Sequence, residues 1–453
     1  MHIRYVLFLA CTAATGGLLF GFDVAIISGA GPFLARHFSL GDLGLGVAFS
    51  SLLFGCALGA AIAGRLSDRY GRRYVLLWIA MLFALTSIAT AVAWDFPTFL
   101  VARFVGGLAV GAVSLVSPMY IAEVAPAAVR GRLGALYQMS IVTGILASYC
   151  INYLLRDIGA DNWRWMFATG VLPSVIFFGL LLRAPETPRF LFMAGRRDEA
   201  RAVMERLGDT QHVEVSLAGS SASTTTRRSW REMFQPGVRR AVFVGFCLAI
   251  LIHFSGINTV IDYAPAIFQS AGWELDAALL STFVVGVTNF VFTLVSFWTI
   301  DRYGRRPLYI VGSMGMAVTL AALTVAVVLG HFKGPLVLVL ILGYLICFCS
   351  CIGPVFWTLV PEILPTRIRG TAMIVPVLTQ WVANAVVVLL FPAALHQLGQ
   401  APTFAILAAF SLAQALFTWR FVPETRNRTL EEIEEFWSET PAMPPMLRSE
   451  TRT

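Results

Sequence analysis

Apolar stretches of about twenty residues, each long enough to cross a ~30 Å hydrocarbon layer, follow one another along the chain. Twelve can be placed, at 5–30, 46–65, 74–94, 97–120, 134–155, 165–183, 240–268, 278–300, 307–329, 335–360, 371–394 and 402–422. The polar breaks between them are short, except for one at 184–239. The pattern predicts an all-α membrane protein with twelve transmembrane helices in two pseudo-symmetric six-helix bundles, 1–183 and 240–422. The linker 184–239 contains an amphipathic helical pattern at 196–207 and a Ser/Thr-rich run at 216–229 that reads as mobile. The tail 423–453 opens with a second short amphipathic pattern, capped by Thr429 with Glu432 in the reciprocal position, and 439–453 reads as disordered. The first apolar segment holds Asp23 and several glycines and lacks a small-residue cleavage site, so it reads as a retained span.

Two of the polar breaks repeat. The residues from Gly64 to Arg73 read Gly-Arg-Leu-Ser-Asp-Arg-Tyr-Gly-Arg-Arg, and the last six recur from Asp301 to Arg306. Glu123 to Arg132 (Glu-Val-Ala-Pro-Ala-Ala-Val-Arg-Gly-Arg) is echoed by Glu362 to Gly370 (Glu-Ile-Leu-Pro-Thr-Arg-Ile-Arg-Gly). Both offsets are close to half the chain, the mark of a duplication. Duplicated membrane halves are how secondary transporters place one substrate site between two rocking bundles. Tight turns favour Gly64, Gly71 and Gly304. Asp68 and Asp301 can pair with nearby arginines and favour the positive ends of adjacent helices.

Composition narrows the class further. Hydrophobic residues make up 57% of the chain and charged ones 13%, with a mean hydropathy of +0.75; an ordinary soluble domain is excluded. The net charge of +7 is almost wholly arginine, since Lys333 is the one lysine. Arg65, Arg69, Arg72, Arg73, Arg130, Arg132, the eleven arginines from Arg183 to Arg240, and Arg302, Arg305 and Arg306 all fall in breaks on one side of the expected membrane. The positive-inside bias puts that side, and both termini, in the cytoplasm. The arginines flank spans rather than forming one face, so no nucleic-acid partner is expected. The cysteines all fall within spans; Cys347 and Cys351 share a helix face, but no His or carboxylate joins them, so no metal is expected. A phosphate-loop string is absent and no cofactor is expected.

Beyond the repeats, Pro-Glu-Thr-Pro-Arg follows span six, Val-Pro-Glu-Thr follows span twelve, and Gly-Phe-Asp stands in span one. Arg-x-x-Gly-Gly-x-x-x-Gly stands at 103–111, Ser-Gly-Ile-Asn at 255–258 and Gly-Pro-x-x-Trp at 353–357. In this order and spacing the motifs resemble the sugar porter family of the major facilitator superfamily, over about residues 15 to 435. The resemblance implies that Asp68, Arg69, Arg72, Glu123, Arg130, Glu186 and Arg189, with Asp301, Arg302, Arg305, Glu362 and Arg369, form inter-helix salt bridges that close the cytoplasmic side. The alternative is that they serve only as topology signals. Topology needs positive charge but no matching acids in both halves.

Asp23 in span one and Arg103 in span four are ionisable groups in hydrocarbon, which face a cavity or a partner. The two can satisfy each other until a proton competes for the carboxylate. By the resemblance, proton-coupled members carry an Asp and an Arg here, whereas facilitative glucose carriers have an Asn for the Asp; a static ion pair between helices is the alternative. Some symporters also carry a third acid early in span six, where this chain has Gly170.

Span seven departs from the family pattern Gln-Gln-x-Ser-Gly-x-Asn followed by an aromatic pair. Here Ile252 and His253 replace the two glutamines, and Asp262 replaces the first aromatic, before Tyr263. Asp262 lies one turn beyond Asn258 on the same face. It can accept vicinal sugar hydroxyls, pair with His253, or sit in water at the outer mouth. A sugar needs several amide or carboxylate ligands and an aromatic plane. Motif positions offer Gln138, Asn258, Asn289, Trp357, Gln380, Trp381 and Asn384, with His253 and Asp262. Singly, such residues also serve as interhelical hydrogen bonds or interfacial anchors. Gly353, Pro354 and Pro376 are expected to break or thin helices ten and eleven.

The expectation is therefore a proton-coupled symporter, not an enzyme, that takes up a monosaccharide across the inner membrane by alternating access. Its partners would be sugar, protons and the bilayer, and its working unit a monomer. A facilitative uniporter of a sugar, polyol or cyclitol is the alternative.

Overall fold

Inside a bilayer every backbone N–H and C=O must find its partner within the chain, so a run of apolar residues has little choice but helix. A computed structural model describes residues 3–126, 129–207, 235–365, 372–426, 428, 432–433 and 436–437, with only the backbone of 130, 131, 236 and 301. Among these residues twelve stretches are long and apolar enough to span a membrane. The first five are single helices: α1 (Ile3–His37), α2 (Asp42–Tyr70), α3 (Arg72–Ala91), α4 (Phe96–Val124) and α5 (Arg130–Leu155). The sixth is two pieces, α6 (Asn162–Ala168) and α7 (Val171–Arg183). Asp95 caps α4 by accepting from the Thr98 N–H at 2.8 Å, with Pro97 in the first turn.

The linker carries α8 (Pro188–Met193) and α9 (Arg197–Leu207), the latter at the amphipathic pattern expected for 196–207. The run at 216–229, the cap at Thr429 and the segment 439–453 lie outside the described residues. Trp437 of the tail is buried and donates its indole N–H to the Ile363 carbonyl at 3.0 Å.

Span seven, expected as one helix, is three: α10 (Pro236–Phe254), α11 (Ile257–Asp262) and α12 (Ala264–Ser270). Gly256, at φ +92°, makes the first break, in the left-handed region that other residues enter only at a cost. Then come α13 (Leu275–Tyr303) and α14 (Arg305–Val328). Span ten divides at Ile352 into α15 (Pro335–Cys351) and α16 (Gly353–Ile363), where Gly353 and Pro354 were expected to interrupt it. Span eleven is interrupted at Met373, and Pro376 falls just after that break, in the first turn of α17 (Ile374–Gln397), where its missing N–H costs least. The last span is α18 (Gln400–Phe421).

The two halves repeat one packing scheme. Spans one and five, two and four, and three and six pair in the first half; seven and eleven, eight and ten, and nine and twelve pair in the second. Between halves, α2 packs on α17 and α5 on α13. These junctions meet at the arginine-poor end. Ser28 of α1 and Tyr149 of α5 both donate to the Ile261 carbonyl, at 3.1 and 2.9 Å. Phe49 of α2 stacks on Tyr263 at 4.4 Å, and Arg156 pairs with Asp276 at 3.0 Å.

Candidate functional site

Gly-rich stretches let α1 lie close against α5, and that places Asp23 opposite α4. Arg103 Nη1 meets Asp23 Oδ1 at 2.6 Å, and its Nη2 donates to the Asp23 carbonyl at 3.1 Å. The guanidinium is 2% exposed and lies 5.1 Å above the Phe167 ring, while the carboxylate is 15% exposed. In an ion pair removed from water on the arginine side yet reachable by water on the acid side, a proton can compete with the arginine for the carboxylate. Gly170 stands at the break between α6 and α7 beside Ser87, with no acid of its own.

Around mid-membrane the polar candidates fall on facing helices. Gln380 and Asn384 lie one turn apart on α17, both buried. Trp381 packs its ring 5.5 Å from Phe20 of α1 and leaves its indole N–H buried without a partner. His253 of α10 lies beside Gln380, and neither ring nitrogen has a hydrogen-bond partner. Gln138 of α5 and Asn258 of α11 are half-buried, and Trp357 of α16 is 41% exposed. Asn289 of α13 already accepts from Thr293 and Cys349, at 3.3 and 3.2 Å. Buried donors and acceptors left without partners inside a membrane are costly, and a polyhydroxylated ligand would satisfy them. Asp262 is 3% exposed, so in this conformation it is not in water, and no hydrogen bond joins it to His253.

At the arginine-rich end the repeat becomes two matching clusters. Arg72 pairs with Asp68 at 2.9 Å and Glu123 at 3.2 Å; in the second half Arg305 pairs with Glu362 at 3.3 Å. These bridges join helices within one half. The Glu186 carboxylate accepts from the N–H groups of Arg72 and Arg73 at the start of α3, and from that of Thr187, which precedes α8. Burial raises this carboxyl above its ordinary value, opposed by the same N–H groups and the Arg72 charge. Beneath it Gly71, at φ +96°, leaves no room for a Cβ against the carboxylate. Arg69 and Arg302 are exposed and lie over Tyr70 and Tyr303; Arg189 is exposed, and none of the three forms an ion pair among the described residues. Their expected salt bridges are thus not seen among the described residues. Arg369 lies outside the described residues, as do the side chains of Arg130 and Asp301.

Sequence reasoning missed Glu424. It accepts from the N–H groups of Arg305 and Arg306 at 3.0 and 3.2 Å and caps α14 as Glu186 caps α3. Gly304, at φ +90°, lies under it as Gly71 lies under Glu186. The signal was present, because Pro-Glu-Thr occurs at both 185–187 and 423–425. Glu424→Ala is expected to destabilise the second half by about 1–3 kcal/mol, the range for a lost charge-assisted cap. Thermal unfolding in detergent checks it; an unchanged midpoint would show that water replaces the carboxylate.

A family model described as "Sugar (and other) transporter" matches residues 9–437. The chain is 38% identical to the arabinose-proton symporter of Bacillus subtilis over 441 residues, covering 96% of this chain and 95% of that protein. It is 35% identical to the D-xylose-proton symporter of Escherichia coli over 472 residues, covering 96% of each. Among solved structures it is similar to the E. coli xylose transporter in an inward-open conformation. That match has a TM-score of 0.84 and 34% identity, covering 96% of this chain and 100% of that one.

Proposed function

This chain belongs to the sugar transporter family of the major facilitator superfamily, and on that premise we propose that it is a proton-coupled symporter of a monosaccharide. It is a multi-pass membrane protein and a transporter rather than an enzyme. The observation that carries proton coupling is the Asp23–Arg103 pair, 2.6 Å long, with a partly exposed carboxylate between two helices of one half. A proton that neutralises Asp23 frees Arg103, and that change is felt by the helices that shape the sugar site. Sugar and proton each bias the same equilibrium between outward- and inward-facing states, so their coupling is reciprocal.

In this reading the arginine-rich end is cytoplasmic, both termini lie inside, and the protein works as a monomer in the cytoplasmic membrane. The closed arginine-poor end, and the likeness to an inward-open relative, support an inward-facing conformation here. The Arg72 and Arg305 clusters brace the cytoplasmic ends of their own halves, so that each half moves as one body. Sugar hydroxyls are taken by Gln138, Asn258, Gln380, Asn384 and the unpartnered His253 and Trp381 groups, with Asn289 behind them and Trp357 as the stacking plane. Removing one buried ligand, as in Gln380→Ala, is expected to weaken sugar affinity roughly 5- to 150-fold, the equivalent of one hydrogen bond of about 1–3 kcal/mol. Isothermal titration with the transported sugar measures it; unchanged affinity would place Gln380 outside the site.

The test of the function is uptake into proteoliposomes of labelled pentoses, hexoses and cyclitols, with and without an inward proton gradient. Pentoses come first because two relatives are named for arabinose and xylose. Accumulation that an uncoupler abolishes supports symport and names the sugar. Equilibration indifferent to the gradient would make the protein a uniporter.

A further inference from the structure

The break at Gly256 turns α11 across the arginine-poor end, and the first half takes hold of its last turn. Two hydroxyls, from Ser28 and Tyr149, converge on the Ile261 carbonyl. Tyr263 stacks on Phe49 and donates to the Val388 carbonyl at 3.0 Å. Asp262 lies between these two anchors, so its side chain is buried whenever this end closes.

Nothing there suits a negative charge. Asp262 Oδ1 is fully buried without a hydrogen-bond partner. The hydroxyls on every neighbouring element are given elsewhere: Ser28 of α1 and Tyr149 of α5 to Ile261, Tyr263 to Val388, and Tyr344 of α15 to Ser255 at 3.0 Å. Among the described residues Arg103 of α4 is the cation whose charge reaches Asp262, and it is held by Asp23 of α1. His253 of α10 makes no bond to it, and His396 at the far end of α17 pairs with Asp42 at 3.2 Å. An ionised carboxylate in such a place costs several kcal/mol, and a protonated one far less.

We propose that Asp262 is a proton-binding gate residue: the outer end closes when its carboxyl carries a proton and opens when the carboxyl is ionised in water. This positioning role rests on the reading of the chain as an alternating-access transporter. In the closed state Asp262 is shut off from water, so the proton it takes from the outside on closing returns to the outside on reopening. It is not carried across. Asp23 remains the coupling site, and Asp262 adds a dependence on external pH that leaves the stoichiometry unchanged.

The test needs no sugar. Spin labels at Leu43→Cys and Leu398→Cys, both exposed at the outer ends of α2 and α17, report that separation. They are placed in a chain with its seven native cysteines replaced and Asp23→Asn added to silence the coupling acid. Pulsed electron resonance in lipid nanodiscs is recorded between about pH 5 and about pH 9. The short-distance fraction should fall at least about 5-fold as pH rises. Asp262→Asn, or Asp262→Tyr, which restores the aromatic of the family pattern, should hold it high at every pH. A pH response that survives both substitutions, or none in the parent, overturns the proposal. Sugar counterflow measured with the same variants in proteoliposomes keeps the two readings apart: a pH-switched distance without any sugar movement would sink the transport reading and leave the pH response of the outer end.

Discussion

Asp23→Asn is expected to abolish accumulation of sugar above equilibrium while leaving exchange of labelled for unlabelled sugar within a few-fold of the unsubstituted protein. An inward gradient of about two pH units is worth about 2.7 kcal/mol per proton, hence about 100-fold accumulation for one proton per sugar. With asparagine the ratio should fall to about one. Asparagine keeps the shape and still accepts from Arg103 Nη1, which stands 2.6 Å from the carboxylate, but it cannot trade a charge for a proton. Arg103 is 2% exposed with its Nε buried and unpartnered, so it depends on Asp23 for its charge balance. Arg103→Leu should therefore also uncouple, because the orphaned carboxylate would keep its proton. The measurement is accumulation and counterflow in the same proteoliposomes. Retained, uncoupler-sensitive accumulation would mean that Asp23 is not the coupling acid, and joint loss of exchange and sugar binding would make it a structural pair.

The number and limits of the spans were legible because the bilayer leaves the backbone one solution, and apolar length alone signals it. The breaks were only partly so. Gly353-Pro354 announced the division of span ten, but Gly256 looked like one more helix glycine until its φ of +92° appeared in three dimensions. Pro376 likewise stands just after an interruption, the turn at Met373, in the first turn of α17. The charged clusters were readable as a repeat, yet their partners were not. Arg72 and Arg305 pair within their own halves, and Glu424 was visible only as half of a duplicated Pro-Glu-Thr. Asp262 stood out as a departure from a pattern, and sequence could place it near sugar, near His253 or in water. Which end of the molecule is closed is a property of one conformation, and no sequence pattern encodes it.

The second large effect is expected at that closed end. A Cβ on Gly46 of α2 would fall on the Leu389 carbonyl of α17, a backbone atom that cannot swing aside. Gly46→Leu should therefore hold α2 and α17 apart where they now meet, without touching the sugar ligands. Overpacking of this kind costs about 1–3 kcal/mol, which lowers the closed population roughly 5- to 150-fold relative to the outward-open one. Net uptake should drop at least about 10-fold, since every cycle must pass through the closed outer end. Sugar binding from the outside should survive, because that state is the one enriched. Gly41, just before α2, has open space around it, so Gly41→Ala is the neutral control. The label pair at Leu43 and Leu398 reads the separation directly. A short distance retained in Gly46→Leu would show that the helices slide past the clash, whereas a long distance with uptake intact would mean that this contact is no part of the transport cycle.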